Sequence, residues 1–233
     1  MLSQASASNC LQQSPRLPLG MKATTETYED PKTVTAFNEN GGYRTNEQEL
    51  IAKYIQKGTV YVLGCGTGRT LTYLPATCDI LASDISPQMV AQARANFPHL
   101  SIQVADAAAL PYADASADIV FFPANGIDYI YPVSRRLTAL KEIRRVLKQG
   151  GIFAFSSHIP RRPNSWKQWV LRLRSFLSGA RKPYVYEYHK WGKLLTHTIT
   201  PSQQITQLRN VGFDLVEIMG IEGAYPTYVA KKI

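Results

Sequence analysis

Cysteine is scarce in this 233-residue chain, and its three copies (Cys10, Cys65 and Cys78) form neither an even set nor a metal-ligand spacing. A disulfide framework and a bound metal are therefore not expected, and a reducing, cytoplasmic compartment fits. No apolar run approaches the roughly 20 residues needed to span a bilayer. Residues 1–22 are rich in Ser, Ala, Gln and Pro and lack the basic start and apolar core of a secretory signal. They read as a floppy tail, with Met1 or Met21 as the start. Internal repeats are absent. So are carboxylates between Ile159 and Tyr186, where Arg161, Arg162, Lys167, Arg172, Arg174, Arg181 and Lys182 lie. Within a net charge of +9 this is a concentrated local field.

What remains is an ordinary globular composition, 45% hydrophobic, long enough for one domain with an insertion and short for two. The expected layout is a single domain over residues 23–233 with an insertion at about 159–190. Its most informative stretch is residues 59–68, T-V-Y-V-L-G-C-G-T-G. β-Branched and apolar residues, the pattern of a buried parallel strand, run into Gly64, Gly66 and Gly68. Glycines there permit positive φ and let a ligand approach the main chain. Residues 69–74 then read as a helix aiming its free N–H groups at that ligand.

Alternating elements follow. Thr45 and Gln48 form a capping-box pattern before a helix whose Leu50, Ile51, Tyr54 and Ile55 share one face. Strands are expected at 78–83, 101–105, 118–122 and 152–157. Ser86-Pro87 is a helix cap and first-turn proline, and a helix with a basic outer face spans 133–148. A second capping box at Thr200-Pro201-Ser202-Gln203 opens a last helix, and 213–219 with 225–230 close the chain as an antiparallel pair. This order implies an α/β, doubly wound, mostly parallel sheet. Asp84 and Asp106 fall at the ends of strands two and three, where open α/β sheets bind ligands.

With those residues in hand, the chain resembles the class I S-adenosylmethionine-dependent methyltransferases, over about residues 43–230. The resemblance rests on V-L-G-C-G-T-G-R-T, S-D-I-S-P-Q-M-V-A-Q-A-R, V-A-D-A-A-A-L-P-Y-A-D-A-S-A-D-I-V and L-K-E-I-R-R-V-L-K-Q-G-G. It implies a Rossmann-like seven-stranded sheet in the order 3-2-1-4-5-7-6, strand seven antiparallel. It also implies S-adenosylmethionine as cofactor, with Gly64, Cys65 and Gly66 at its methionine part. Asp84 would hold the ribose, Ile85 and Met89 would flank the adenine, and Asp106 and Ala107 would address the adenine edge. Asn125 would lie near the reactive methyl. F-F-P-A-N-G-I-D-Y-I and F-S-S-H resemble a bacterial subgroup without a common substrate. One position departs from the pattern: Val62 stands where the family carries an acidic residue that helps fix the methionine end.

Methyl transfer from a sulfonium needs alignment of acceptor and methyl, and a hydroxyl acceptor also needs a base. His158, at the tip of strand five, is the first candidate, since imidazole titrates near neutrality; Asp128 and Tyr129 follow. In the insertion, Trp166, Trp169, Val170, Leu173 and Leu177 recur at helical spacing, which predicts a cap helix packed over the active site. Its basic side is either solvated or recruits an acidic acceptor, an anionic membrane or an RNA backbone. Tyr184, Tyr186 and Tyr188 floor a pocket or form a strand with one buried face. A small organic acceptor, taken at oxygen or nitrogen, leads. RNA modification competes, although strand four ends in P-A-N-G and no Pro-Cys nucleophile is present. A non-catalytic S-adenosylmethionine-binding regulator is the reading that Val62 favours.

Overall fold

The stretch marked as a buried strand is β1 (Gly58–Leu63). Its side chains alternate, Tyr61 and Leu63 entering one core and Val60 and Val62 the other. A strand buried on both faces belongs in the middle of a parallel sheet. β1 accordingly lies between β2 (Cys78–Asp84) and β4 (Ala117–Phe122), parallel to both. β3 (Ser101–Val104) extends the sheet beyond β2, and β5 (Leu147–Ser156) pairs with β4. The structure, a computed structural model, describes residues 24, 26–39, 45–160, 163–180, 182–189 and 192–233. The expected tail, with Met1, Met21 and Cys10, lies outside them.

Helices cover both faces. α1 (Pro31–Glu39), α2 (Thr45–Tyr54) and α3 (Pro87–Asn96) are followed by α4 (Val133–Val146). Leu50, Ile51 and Ile55 with Val90 and Ala93 close one core; Leu140, Ile143 and Val146 with Leu208 close the other. Each fully buried aliphatic side chain contributes about 1.5–3 kcal/mol. α3 begins as its cap dictates, the Ser86 hydroxyl accepting the Met89 N–H at 3.1 Å. α6 (Pro201–Val211) carries the full capping box of Thr200 and Gln203, and Gly212 ends it at φ 90°.

Beyond β5, β9 (Thr227–Lys232) runs antiparallel to both β5 and β8 (Phe213–Met219). The seven-stranded order β3-β2-β1-β4-β5-β9-β8 is the expected one once two strands inside the insertion are counted. Those are β6 (Tyr184–His189) and β7 (Gly192–His197), a separate antiparallel hairpin. This hairpin runs across residue 190, the expected end of the insertion. α5 (Trp166–Leu177) precedes the hairpin, and Ser175 is its buried residue.

Four expectations fail locally. The helix expected at 69–74 is a single 3-10 turn, Leu71–Tyr73; Pro75 forces Leu74 into extended backbone and stops it. The 133–148 helix ends at Val146 and β5 begins at once, because Ala115 and Ser116 N–H groups claim the Arg145 and Val146 carbonyls. The last strand starts at Thr227, after Pro226, which has no N–H for a ladder. Finally, the apolar stripe of α5 does not cover the active site: Trp166, Trp169, Val170, Leu173 and Leu177 are exposed.

Candidate active site

A cavity of about 270 Å³ opens at the C-terminal ends of β1, β2, β3 and β4. Gly64, Gly66, Asp84, Ile85, Met89, Asp106 and Ala107 all line it, so the structure brings together seven of the nine expected cofactor positions. The three turn glycines take φ of 62°, 56° and 94° but serve different ends. A β-carbon on Gly64 would stand 2.7 Å from the Phe122 ring, and one on Gly68 2.5 Å from the Phe97 ring. One on Gly66 would meet no atom within 4 Å. Protein packing thus explains Gly64 and Gly68, while the space before Gly66 is left for a ligand.

Asp84 is bound into the same turn. Its Oδ2 accepts the Gly66 N–H at 2.8 Å and its Oδ1 the Ser86 N–H at 2.9 Å. Burial pushes its carboxyl up from the ordinary value, against the pull of the Ser86, Gly66 and Ile85 N–H groups. Each carboxylate oxygen keeps a lone pair for a hydroxyl donor. Asp106 Oδ1 accepts the Ala108 N–H at 2.9 Å, and its Oδ2 is ion-paired with Arg135, which also lines the cavity. The residues present fit an adenosyl group: an open backbone bend, two acceptor carboxylates, and the apolar Ile85 and Met89.

Behind the cavity lies a buried polar network. Arg136 donates to Asp128 Oδ1 and to the Ile127 carbonyl at 2.8 and 2.7 Å, and to Gln204 and Gln207 of α6 at 2.8 and 3.0 Å. Asp128 also accepts from the Ser157 hydroxyl, the His158 N–H and the His158 ring. Burial alone would raise the Asp128 carboxyl; Arg136 and the His158 hydrogen bonds outweigh it and hold the group below its ordinary value. His158 Nδ1 lies 2.9 Å from Asp128 Oδ2, so the carboxylate selects the Nδ1–H tautomer. Nε2 is then the acceptor, 3.2 Å from the Asn125 amide nitrogen and 3.6 Å from Glu187 of β6.

The loop after β4 is held in place against its own preference. Ala124 and Asn125 both adopt φ near the left-handed region, 54° and 59°, at a cost of about 1–2 kcal/mol each. Glu47 of α2 accepts the Ala124 N–H at 2.7 Å and the Ser156 hydroxyl at 2.9 Å, and Ser156 accepts the Asn125 N–H at 2.8 Å. This aims the Asn125 amide at His158.

Four expected residues stand off the cavity wall. Cys65 packs its side chain into the core, with burial pushing its thiol well up. Asn125, Asp128 and His158 are buried one layer back, while Tyr129 does line the cavity, its ring 5.9 Å from that of His158. Val62 is fully buried in apolar core. Tyr28, Phe37 and Leu194, which also line the cavity, were not anticipated, nor were Glu47, Arg136 and Glu187. Arg136 left a signal: α4 buries Arg136, Ala139, Leu140, Ile143 and Val146, so a cation occupies the register of the apolar stripe. Lys167, Arg172 and Arg174 stand outside the cavity lining.

Comparison with known proteins agrees with this geometry. Residues 62–155 match the family described as a methyltransferase domain. An uncharacterized methyltransferase of Schizosaccharomyces pombe is 29% identical over 169 residues, 72% of this chain and 62% of its own. A relative from Aspergillus luteorubrus that bears a methyltransferase name, ltbC, is 32% identical over 150 residues, 55% of this chain and 52% of its own. The chain thus spans about half to two-thirds of the length of these relatives. The crystal structure of an S-adenosylmethionine-dependent methyltransferase from Methanosarcina mazei superimposes with a TM-score of 0.68 at 16% identity, covering 79% of this chain and 97% of that one. Residues 62–155 thus match a methyltransferase domain, and the order of the sheet agrees with the fold of that solved structure.

Proposed function

We propose that the chain is a cytoplasmic methyltransferase that takes a small organic acceptor at oxygen or nitrogen. The observation that carries this reading is one continuous cavity: Gly66 and Asp84 line it together with the aromatic wall of Tyr28, Phe37 and Tyr129. Donor and acceptor spaces thus share one chamber, and alignment of two reactants is what methyl transfer requires.

S-adenosylmethionine, when bound, supplies a methyl group already activated on a sulfonium. Gly64 and Gly66 would receive its methionine part, Asp84 its ribose, and Ile85, Met89, Asp106 and Ala107 its adenine. Tyr28, Phe37, Tyr129 and Leu194 would hold the acceptor and exclude water. For a hydroxyl acceptor, His158 behind Tyr129 is the candidate base, its Nε2 giving up the Asn125 N–H to take the acceptor's proton. Asp128 does not touch the acceptor; it keeps the proton on Nδ1 and so leaves the ring lone pair on Nε2. Lys167, Arg172 and Arg174 give no support to an acidic acceptor, because they stand outside the cavity lining.

A second reading has one observation behind it. Val62 leaves the donor's ammonium end without the family's carboxylate, which favours a binder that regulates and does not turn over. Titration calorimetry with S-adenosylmethionine, followed by an acceptor screen read through S-adenosylhomocysteine release, separates the readings. Tight binding with release on any acceptor establishes the enzyme. Binding without release on every acceptor favours the regulator, and no binding removes both.

A further inference from the structure

We propose that α5 is a peripheral membrane contact, seating its outward face in the surface of an anionic lipid bilayer. The helix is attached to the protein by its narrow polar side. Ser175 is buried, and its hydroxyl accepts the Tyr186 N–H of β6 at 2.7 Å. On the opposite face, spacings of three and four align Trp166, Trp169, Val170, Leu173 and Leu177. Their exposures are 71%, 62%, 49%, 58% and 75%. Such a contiguous apolar face on a soluble domain marks an interaction surface.

Charge identifies what covers it. Lys167 and Arg174 border the stripe on one side and Arg172 on the other, with Arg174 stacked over the Tyr188 ring at 4.3 Å. Residues 159–186 contain seven cations and no carboxylate; three of the seven, Arg161, Arg162 and Arg181, fall outside the described residues. A second copy of the chain would bring two such cationic rims together, which like-charge repulsion opposes. An RNA backbone would need cations at the centre of the surface, where Val170 and Leu173 lie instead. An anionic bilayer satisfies both parts: acyl chains receive the stripe, headgroups pair with the rim, and Trp rings sit at the boundary. The hairpin that carries α5 also contributes His189 and Leu194 to the cavity, so the contact and the candidate site share one support.

This inference stands independently of the methyl-transfer reading. The test is co-sedimentation of the full chain with vesicles of phosphatidylcholine mixed with phosphatidylglycerol, against phosphatidylcholine alone. The expected result is partition to the mixed vesicles, lost at high salt, with tryptophan emission quenched by brominated lipid. Leu173→Gln with Leu177→Gln should weaken partition on the order of 100-fold. Lys167→Gln with Arg172→Gln should weaken it on the order of 30-fold. Circular dichroism and donor affinity, expected unchanged, report that both variants fold. Lack of partition by the unaltered protein overturns the proposal, as does equal partition of the variants. A dimer dissolved by the leucine substitutions, or retention of RNA in place of vesicles, overturns it as well.

Discussion

The proposed donor half of the cavity is made of main chain and of carboxylates that accept from main-chain N–H groups. Gly66 hydrogen-bonds Asp84 across two adjacent strands, and Ser86 caps both Asp84 and α3. The proposed acceptor half is assembled from afar. Its His158 depends on Asp128, Asp128 on Arg136, and Arg136 on two glutamines some seventy residues onward in α6. A local cradle is robust to sequence change elsewhere, whereas a long-range polar network fails as a unit.

The contrast breaks most sharply at Arg136. Arg136→Met leaves the Asp128 carboxylate buried without its cation, with an expected loss of about 3–5 kcal/mol in urea unfolding; adding Asp128→Asn should recover much of it. A result under about 1 kcal/mol would show that the network contributes no more than an exposed pair.

A pH experiment tests the same half. Burial, with Arg136 nearby, lowers His197 from 6.5 to about 4. Between those values the unfolded chain binds a proton that the folded chain refuses, so stability rises with pH across the window. Above about pH 6.5 the effect is absent, and by about pH 4 the loss amounts to about 3 kcal/mol. His197→Asn should flatten that slope; parallel profiles for the two proteins would remove the assignment.

At His158, Ala substitution should slow turnover of a hydroxyl acceptor by about 100-fold while leaving donor affinity alone. Turnover equal to the parent would reduce His158 to a packing residue. The donor half is sharpened by Asp84→Ala, expected to weaken S-adenosylmethionine binding by about 10- to 100-fold in calorimetry. Unaltered affinity would end its ribose role. The smallest effect belongs to Gly66→Ala. Strain at positive φ costs about 1 kcal/mol of stability, and the new methyl group enters the open space before the bend. Donor affinity should therefore fall more than stability does, and the reverse outcome would place Gly66 among the packing glycines.

How much of this could be read in advance follows the same division. The Ser86 and Thr200 caps and the strand-end positions of Gly64, Gly66, Asp84 and Asp106 were legible because each follows from its neighbours in sequence, whereas sheet order followed from the family resemblance. The α5 stripe was legible as a stripe, yet its direction was not: periodicity reports that a face is apolar and not what lies opposite it. Asp128 was legible as a carboxylate near strand four but not as a buried one. Its partner comes from the next helix, and the one local sign of that partner is that Arg136 falls in the register of the apolar stripe of α4.

The sequence by itself determined most strands, turns and caps, and through them the bend that joins Gly66, Asp84 and Ser86, since backbone conformation and alternating burial are dictated residue by residue. Only the tertiary structure decided that His158 stands behind Tyr129, that Glu47 holds the left-handed Ala124–Asn125 turn, and that α5 faces outward. Those outcomes depend on which side chains meet across the fold, where burial and charge pairing are properties of the assembled neighbourhood and not of any one segment.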